Sequence, residues 1–312
     1  MRALVIGAGV VGLTSAIRLR EAGVDAHVWA RALPRDTTSA VAAALWYPYR
    51  AQPYDRVTEW GAATYGVLSG LAAVPGSGVS LRLGRELFRE PAPDPWWRAA
   101  VPEFGRCRPG DLPPGYTDGH RFPAPVVDMS LHLPWLVERL AALGGTVRRR
   151  AISALEEARP HADVVVNCTG LGARELVGDD CLLPVRGQVV RVAQVGLTEW
   201  LLDEGHPDGI LYVVPREREV VLGGTADEGA ESTSPDAATA EAILARAIRA
   251  VPELRAAPVR GHAVGLRPVR TQVRLEREDG AAGAVVHCYG HGGAGVTLSW
   301  GCAAEVTALV TG

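Results

Sequence analysis

The sequence predicts a mixed α/β (α+β) fold in which a Rossmann-like dinucleotide-binding unit is interleaved with an antiparallel, strand-rich unit. Three observations carry that prediction. The chain opens on an apolar run that enters a glycine-spaced helix start, Val5-Ile6-Gly7-Ala8-Gly9-Val10-Val11-Gly12-Leu13. Between 183 and 224, three β-rich runs alternate with polar turns, the pattern of an antiparallel sheet. Towards the far end, a strand meets four glycines within the six residues 290–295, and helical spacing follows.

The first element is a short buried strand at 3–6, followed by a helix from the glycines to about residue 20 that Glu21-Ala22-Gly23 stops. A second strand follows at 25–29. Gly7 suits the tight turn, Gly9 lets backbone approach a pyrophosphate, and Gly12 lets helix and strand pack closely. The helix N-terminus then offers free N–H groups and a positive dipole end to the anion. A secretory signal is the competing reading, but three glycines and the charges of Arg18, Arg20 and Glu21 fit an apolar signal core poorly. The acid expected at the end of the second strand for a ribose hydroxyl is missing, because that strand ends Trp29-Ala30-Arg31.

The stretch Asp36-Thr37-Thr38-Ser39, running into Ala44, Leu45, Trp46, Tyr47 and Tyr49, reads as a loop and helix start folded over a cofactor. Residues 91–134 are proline-rich without a helical period and are expected to wrap a second lobe. Residues 131–143 recover helical spacing and end at Gly144-Gly145. Val164-Val165-Val166 predicts a strand leading to Cys168-Thr169-Gly170, either a second phosphate-side turn or an ordinary one. Residues 237–251 read as an alanine-rich helix, and strands return from about 261 to 286.

Composition narrows the function classes. At 312 residues and 47% hydrophobic content the chain can bury a large core of about two domains. A net charge of −3 gives no reason to expect nucleic acid, and no apolar stretch is long enough to span a membrane. Five cysteines without CxxC spacing indicate neither zinc nor disulfides and fit a reducing cytoplasm. All 32 basic residues are arginine. A Schiff-base or P-loop lysine is therefore unavailable, which excludes pyridoxal-phosphate, P-loop NTPase and lysine-aldolase chemistry.

Taken together, Gly7-Ala8-Gly9-Val10-Val11-Gly12, Ala42-Ala43-Ala44-Leu45-Trp46, Val166-Asn167-Cys168-Thr169-Gly170, Arg186-Gly187-Gln188, Tyr212-Val213-Val214-Pro215, Gly265-Leu266-Arg267-Pro268-Val269-Arg270 and His291-Gly292-Gly293-Ala294-Gly295 resemble the D-amino-acid oxidase family of flavoproteins, in its bacterial form. The resemblance spans nearly the whole chain. It implies a discontinuous FAD-binding domain (1–50, 130–182 and 262–312) carrying a substrate-binding domain (51–129 and 183–261). It also implies oxidation of a D-amino acid, neutral by preference, by hydride transfer from Cα to flavin N5. Oxygen then gives hydrogen peroxide, and no side-chain base touches the Cα hydrogen.

The same resemblance assigns residues. Arg267 and Tyr212 would grip the substrate carboxylate and carry the catalytic positioning, and the carbonyl of Gly293 would take its ammonium. Tyr47, Tyr49 and Val214 would line the side-chain pocket. FAD would meet Gly7, Ala8, Gly9, Val10, Val11 and Gly12 at its pyrophosphate and Thr37 and Thr38 through their hydroxyls. Ala44 and Leu45 would reach the ring edge, Thr169 and Gly170 the second turn, and Gly292, Gly293, Gly295, Val296 and Thr297 the pyrimidine side.

The expected partners are a D-amino acid and molecular oxygen, with no metal, nucleic acid or membrane, and a homodimer stays open. Between Trp200 and Tyr212 the segment is short and lacks a tyrosine, which predicts free substrate exchange. The chain ends without a Ser-Lys-Leu address, which suits a cytoplasmic protein. A D-aspartate or glycine oxidase of the same fold is the near alternative, with Arg216 the candidate second cation for an acidic substrate. An NADP-dependent reductase holding a 2′-phosphate on Arg31 is the distant one.

Overall fold

A computed structural model describes residues 1–280 and 283–312. Among them the strands are β1 (Arg2–Ile6), β2 (Asp25–Ala30), β3 (Val79–Phe88), β4 (Gly105–Arg106), β5 (Asp118–Val127), β6 (Val147–Arg149), β7 (Val164–Asn167), β8 (Leu183–Ala193), β9 (Trp200–Asp203), β10 (Leu211–Pro215), β11 (Glu219–Gly223), β12 (Asp227–Glu228), β13 (Val259–Gly280) and β14 (Gly283–His291). The helices are α1 (Val10–Glu21), α2 (Thr38–Val41), α3 (Tyr54–Leu71), α4 (Met129–Ala142), α5 (Ala173–Val177), α6 (Ala237–Ala250) and α7 (Gly295–Thr311).

One end of the sheet is parallel, in the order β14-β7-β1-β2-β6. Its central strand reads Ala-Leu-Val-Ile over residues 3–6, buried on both faces because helices cover one side and irregular chain the other. Helix α1 is buried almost all round between the sheet, α4 and α7. It stops where Gly23 takes φ +79°, a left-handed conformation that glycine adopts without a Cβ penalty. The N–H of Val24 closes the end on the carbonyl of Leu19.

The other end is mostly antiparallel and runs β4-β5-β3-β9-β10-β11-β8-β13. The strand that unites the two ends is β13. Its first half pairs with β8, from Val259 to Val269, and its second half with β14, from Arg274 to Gly280. The three β-rich runs expected between 183 and 224 are β8, β10 and β11, and the alanine-rich helix is α6.

Two elements were not foreseen. The proline-rich region holds a ten-residue strand, β5, despite Pro123 and Pro125. Both prolines share the backbone parity of Val127, whose N–H turns away from β3 to the carbonyl of Ala44. A missing N–H at those positions therefore removes no bond to β3. Helix α3, eighteen residues within 51–129, has no forecast in the sequence reading. It crosses α7 at Gly301, where a Cβ would collide with the backbone of Trp60. Thr64 accepts from the N–H of Gly301 at 2.9 Å, and the indole of Trp60 donates to Glu305 at 2.7 Å.

Candidate active site

A cavity of about 940 Å³ lies where the parallel sheet gives way to the antiparallel one. The loop from β1 to α1, the segment 37–45, the turn after β7 and the N-terminus of α7 form one side of it, and the inner face of β8 to β11 and β13 forms the other. Ser39 Oγ accepts from the N–H of Val10 at 3.0 Å, leaving the next N–H groups of α1 without a side-chain partner, and α7 has no side-chain cap at its start. Both helix starts thus retain N–H groups for a bound anion or polar ring edge.

The glycines at the first helix start are spatially required. A Cβ on Gly7 would strike the carbonyl of Cys168, one on Gly12 the carbonyl of Gly7, and one on Gly9 would come 3.1 Å from Ser39 Oγ. The loop is therefore pressed against the turn after β7. There Asn167 Oδ1 accepts from the N–H and the hydroxyl of Thr169, at 3.2 and 2.7 Å. This buried asparagine shapes the 168–170 turn.

Of the residues expected to hold cofactor, Gly7, Ala8, Gly9, Val10, Val11, Thr37, Thr38, Ala44, Leu45, Thr169, Gly170, Gly292, Gly293, Gly295 and Val296 lie on the cavity wall. Gly12 and Thr297 do not. Gly12 is the contact between helix and loop, and Thr297 clamps Tyr47, accepting from its N–H at 3.0 Å and donating to its carbonyl at 2.9 Å. Thr37 and Thr38 face the cavity, but their hydroxyls donate to the carbonyls of Pro34 and Leu266. Ala44 holds φ +57°, rare for a residue with a side chain and concentrated at functional sites.

On the sheet side the expected substrate residues converge. Tyr212 lies across Gly223, and Arg267 across Gly187, so closely that a Cβ on either glycine would occupy the same space as the side chain. In register, Tyr212 opposes Gly223 and Gly187 opposes Gly265. The phenol from β10 and the guanidinium from β13 therefore reach towards each other over the two strands between them. Arg267 Nη1 donates to the carbonyl of Thr225 at 2.9 Å. Its guanidinium carbon stands 5.6 Å from the ring centre of Tyr49, whose carbonyl accepts from the N–H of Gly293 at 3.2 Å. Burial pushes the Tyr212 phenol up, with Arg267 pulling against it. Val214 shares the same face, two residues along β10.

Tyr47 donates to Glu86 Oε1 at 2.6 Å. Burial, then the charges of Glu86 and Glu204, push its phenol well above the usual tyrosine value. Glu204 and Leu202 line the cavity without having been singled out in the sequence. The available signal was alternation: Leu202 opposes Tyr212 across β9 and β10, and a residue two further on shares its face. His291 is buried and neutral, its pKa lowered to about 4 by burial.

Arg216 is not a cavity cation. It is buried against Glu219 and Asp128 and donates to the carbonyls of Ala42 and Ala43, so it braces the chain behind Ala44. Arg31 is at the cavity edge, mostly exposed, 3.5 Å from Glu175.

The profile of the FAD dependent oxidoreductase family matches residues 2–309. The chain belongs to that family. Among relatives of this FAD-dependent oxidoreductase, a D-amino-acid oxidase from Rubrobacter xylanophilus is 56% identical over 310 residues, covering 99% of this chain and 95% of the relative. A D-amino-acid oxidase from Streptomyces coelicolor is 44% identical, covering 99% and 96%, and a human D-aspartate oxidase 37% identical, covering 99% and 94%. The crystal structure of glycine oxidase from Geobacillus kaustophilus superposes with a TM-score of 0.83 at 18% identity, over 99% of this chain and 95% of that one, which shows the shared fold.

FAD is therefore the cofactor, and the NADP alternative lapses. The residues present fit FAD: two helix starts face one cavity, and glycines leave the room a bulky dinucleotide needs. No described helix is long and apolar enough to cross a membrane.

Proposed function

We propose that this flavoprotein oxidises D-amino acids, neutral ones by preference, to 2-oxo acids with release of ammonia and hydrogen peroxide. The observation that carries this reading is the convergence of Arg267 and Tyr212 over Gly187 and Gly223, inside the cavity that the two helix starts share. It is supported by the two bacterial relatives, both named D-amino-acid oxidases. The parallel end of the sheet would serve as the FAD unit and the antiparallel end as the substrate unit.

When bound, FAD supplies the hydride acceptor and the route of electrons to oxygen. The chain does the rest. Loop 7–11 and the start of α7 would hold the cofactor. The planar fork of Arg267 matches a carboxylate. The Tyr212 hydroxyl, kept protonated by burial, adds a donor. The carbonyl of Gly293 would accept from the substrate nitrogen.

With three points fixed, Cα is held in one orientation, and that ordering supplies much of the rate. Leu202, Ile210 and Val214 give the side chain apolar walls and keep water from it. The nitrogen gives up a proton to solvent and the Cα–H bond breaks with its electron pair, which bound FAD would accept, so that the substrate becomes an imine. Water hydrolyses that imine after release. No carboxylate or imidazole needs to take the Cα hydrogen, in keeping with a neutral His291.

We also propose a cytoplasmic setting, supported by five cysteines that are all unpaired. The test is a peroxide assay on the purified yellow protein with matched D- and L-amino acids. Peroxide from D-enantiomers alone is expected, and a yellow protein that makes none from any D-amino acid would sink the reading.

A further inference from the structure

The cavity is electrically two-ended. Arg267 belongs to β13 and lies across Gly187 of β8. Glu204 follows directly on β9, at the other side of the same face, two residues beyond Leu202, and it lines the same cavity. From β8 to β9 the sheet steps through β11 and β10, three spacings or about 14 Å at the usual strand separation. A glutamate side chain covers part of that span. The remainder suits an α-amino acid with three or four methylene groups.

A second carboxylate reinforces the acidic end. Glu86, 5% exposed, sits behind Tyr47, takes its hydroxyl at 2.6 Å and has His120 Nδ1 3.4 Å from its other oxygen. The neighbouring cations are engaged elsewhere. Arg50 pairs with Glu228 at 2.5 Å, and Arg89 pairs with Asp203 at 2.7 Å. Among the described residues Glu204 has no ion-pair partner; the Tyr47 hydroxyl, already given to Glu86, is its neighbouring donor, and it lines the cavity.

We propose that Glu204 is a specificity-determining residue that favours D-amino acids whose side chain ends in a cation or a hydrogen-bond donor, and disfavours acidic ones. The inference rests on Arg267 holding the substrate carboxylate. A guanidinium or ammonium at the far end gains a charge-assisted hydrogen bond. The side-chain carboxylate of D-aspartate or D-glutamate would instead stand beside Glu204 and Glu86, with Arg216 committed behind the wall. The preference for neutral side chains drawn from the apolar walls is thereby refined: Leu202, Ile210 and Val214 take the methylene stem, and Glu204 reads its tip.

The preference depends on pH. Glu204 is solvent-exposed at the cavity surface, yet the protein packed around its carboxyl, then the charge of Glu86, push it up to about 7, with Asp203 adding to the rise and Tyr47 and Arg50 opposing it. Tyr49 also faces this end. A carboxyl with a raised pKa is neutral below it and charged above it. Selection for cations should therefore strengthen from pH 6 to pH 8.5.

The test uses the FAD-loaded protein and Glu204→Gln, which keeps shape and removes charge. The kcat/KM ratio of D-arginine to D-methionine should fall about tenfold in the variant, as expected for loss of one charged hydrogen bond. D-methionine itself should change by less than about threefold on the same argument. The rise of the ratio with pH should vanish, and D-aspartate should gain. A second readout is calorimetric: 5-guanidinopentanoate, which lacks the α-nitrogen and cannot be oxidised, should bind the native protein more tightly than hexanoate and the variant equally.

Equal changes for D-arginine and D-methionine, or guanidinopentanoate binding that ignores the substitution, would overturn the role of Glu204 while leaving D-methionine oxidation intact. A native protein that oxidises no D-amino acid overturns the oxidase reading, and this inference falls with it.

Discussion

Gly187 and Gly223 have no room for a side chain because Arg267 and Tyr212 lie across them. Replacing Gly187 with alanine should therefore act as a substrate-site mutation without touching substrate. We expect the guanidinium to be displaced, the yellow colour to stay and KM to rise at least tenfold, measured by steady-state peroxide release. Arg267→Ala removes the fork itself. Two charge-assisted hydrogen bonds at about 1.5–3 kcal/mol each correspond to a loss in kcat/KM on the order of a hundredfold or more. Flavin absorbance should be retained, and near-native kcat/KM in that variant would refute the carboxylate assignment. Tyr212→Phe loses one neutral donor of about 0.5–1.5 kcal/mol, so a three- to tenfold loss is expected, mostly in KM.

At the scale of elements, the α3–α7 crossing depends on one position. Gly301→Leu would force the helices apart at Trp60 and strain the bond from Thr64, at a cost of about 1–3 kcal/mol or more by overpacking. A denaturant midpoint unchanged from the native protein would contradict the packing described. This contact also shows where sequence reading stops. Local patterns announced β1, α1, α4, α6 and the three runs β8, β10 and β11, because their periodicity is set within each segment.

The pairing of α3 with α7, by contrast, joins positions 237 residues apart and leaves no local mark. The site divides in the same way. Arg267, Tyr212 and the glycine loops stood out by motif, whereas Glu204 becomes meaningful only once β9 is known to lie beside β10. Strand β5 went unannounced for a third reason: proline content argues against a strand, and only the direction of each missing N–H makes Pro123 and Pro125 tolerable.

For the whole molecule, buried neutral histidines set the acid limit. His291, His132 and His287 all have lowered pKa values from burial, His291 to about 4. The unfolded chain binds protons at these rings as pH falls through about 6.5, while the folded chain does not until lower pH. A depressed histidine pKa thus means stability that is complete above pH 6.5 and is lost progressively below it. Each unmatched proton costs about 1.4 kcal/mol per pH unit. Denaturant unfolding should show stability falling steadily from pH 6.5 to 4.5, and a flat profile there would contradict the burial of these rings.

Strand β13 bonds to β8 along its first half and to β14 along its second, so the anchor Arg267 is part of the beam that ties both ends of the sheet. A break in this strand would therefore not yield two separable domains. It would expose the facing edges of β8 and β14, each a row of unpaired amides able to recruit a strand from another molecule. Truncation before residue 259, which removes β14 and α7 as well and bares the edges of β8 and β7, should likewise give aggregates rather than a soluble half, and the protein is best treated as one mechanical piece.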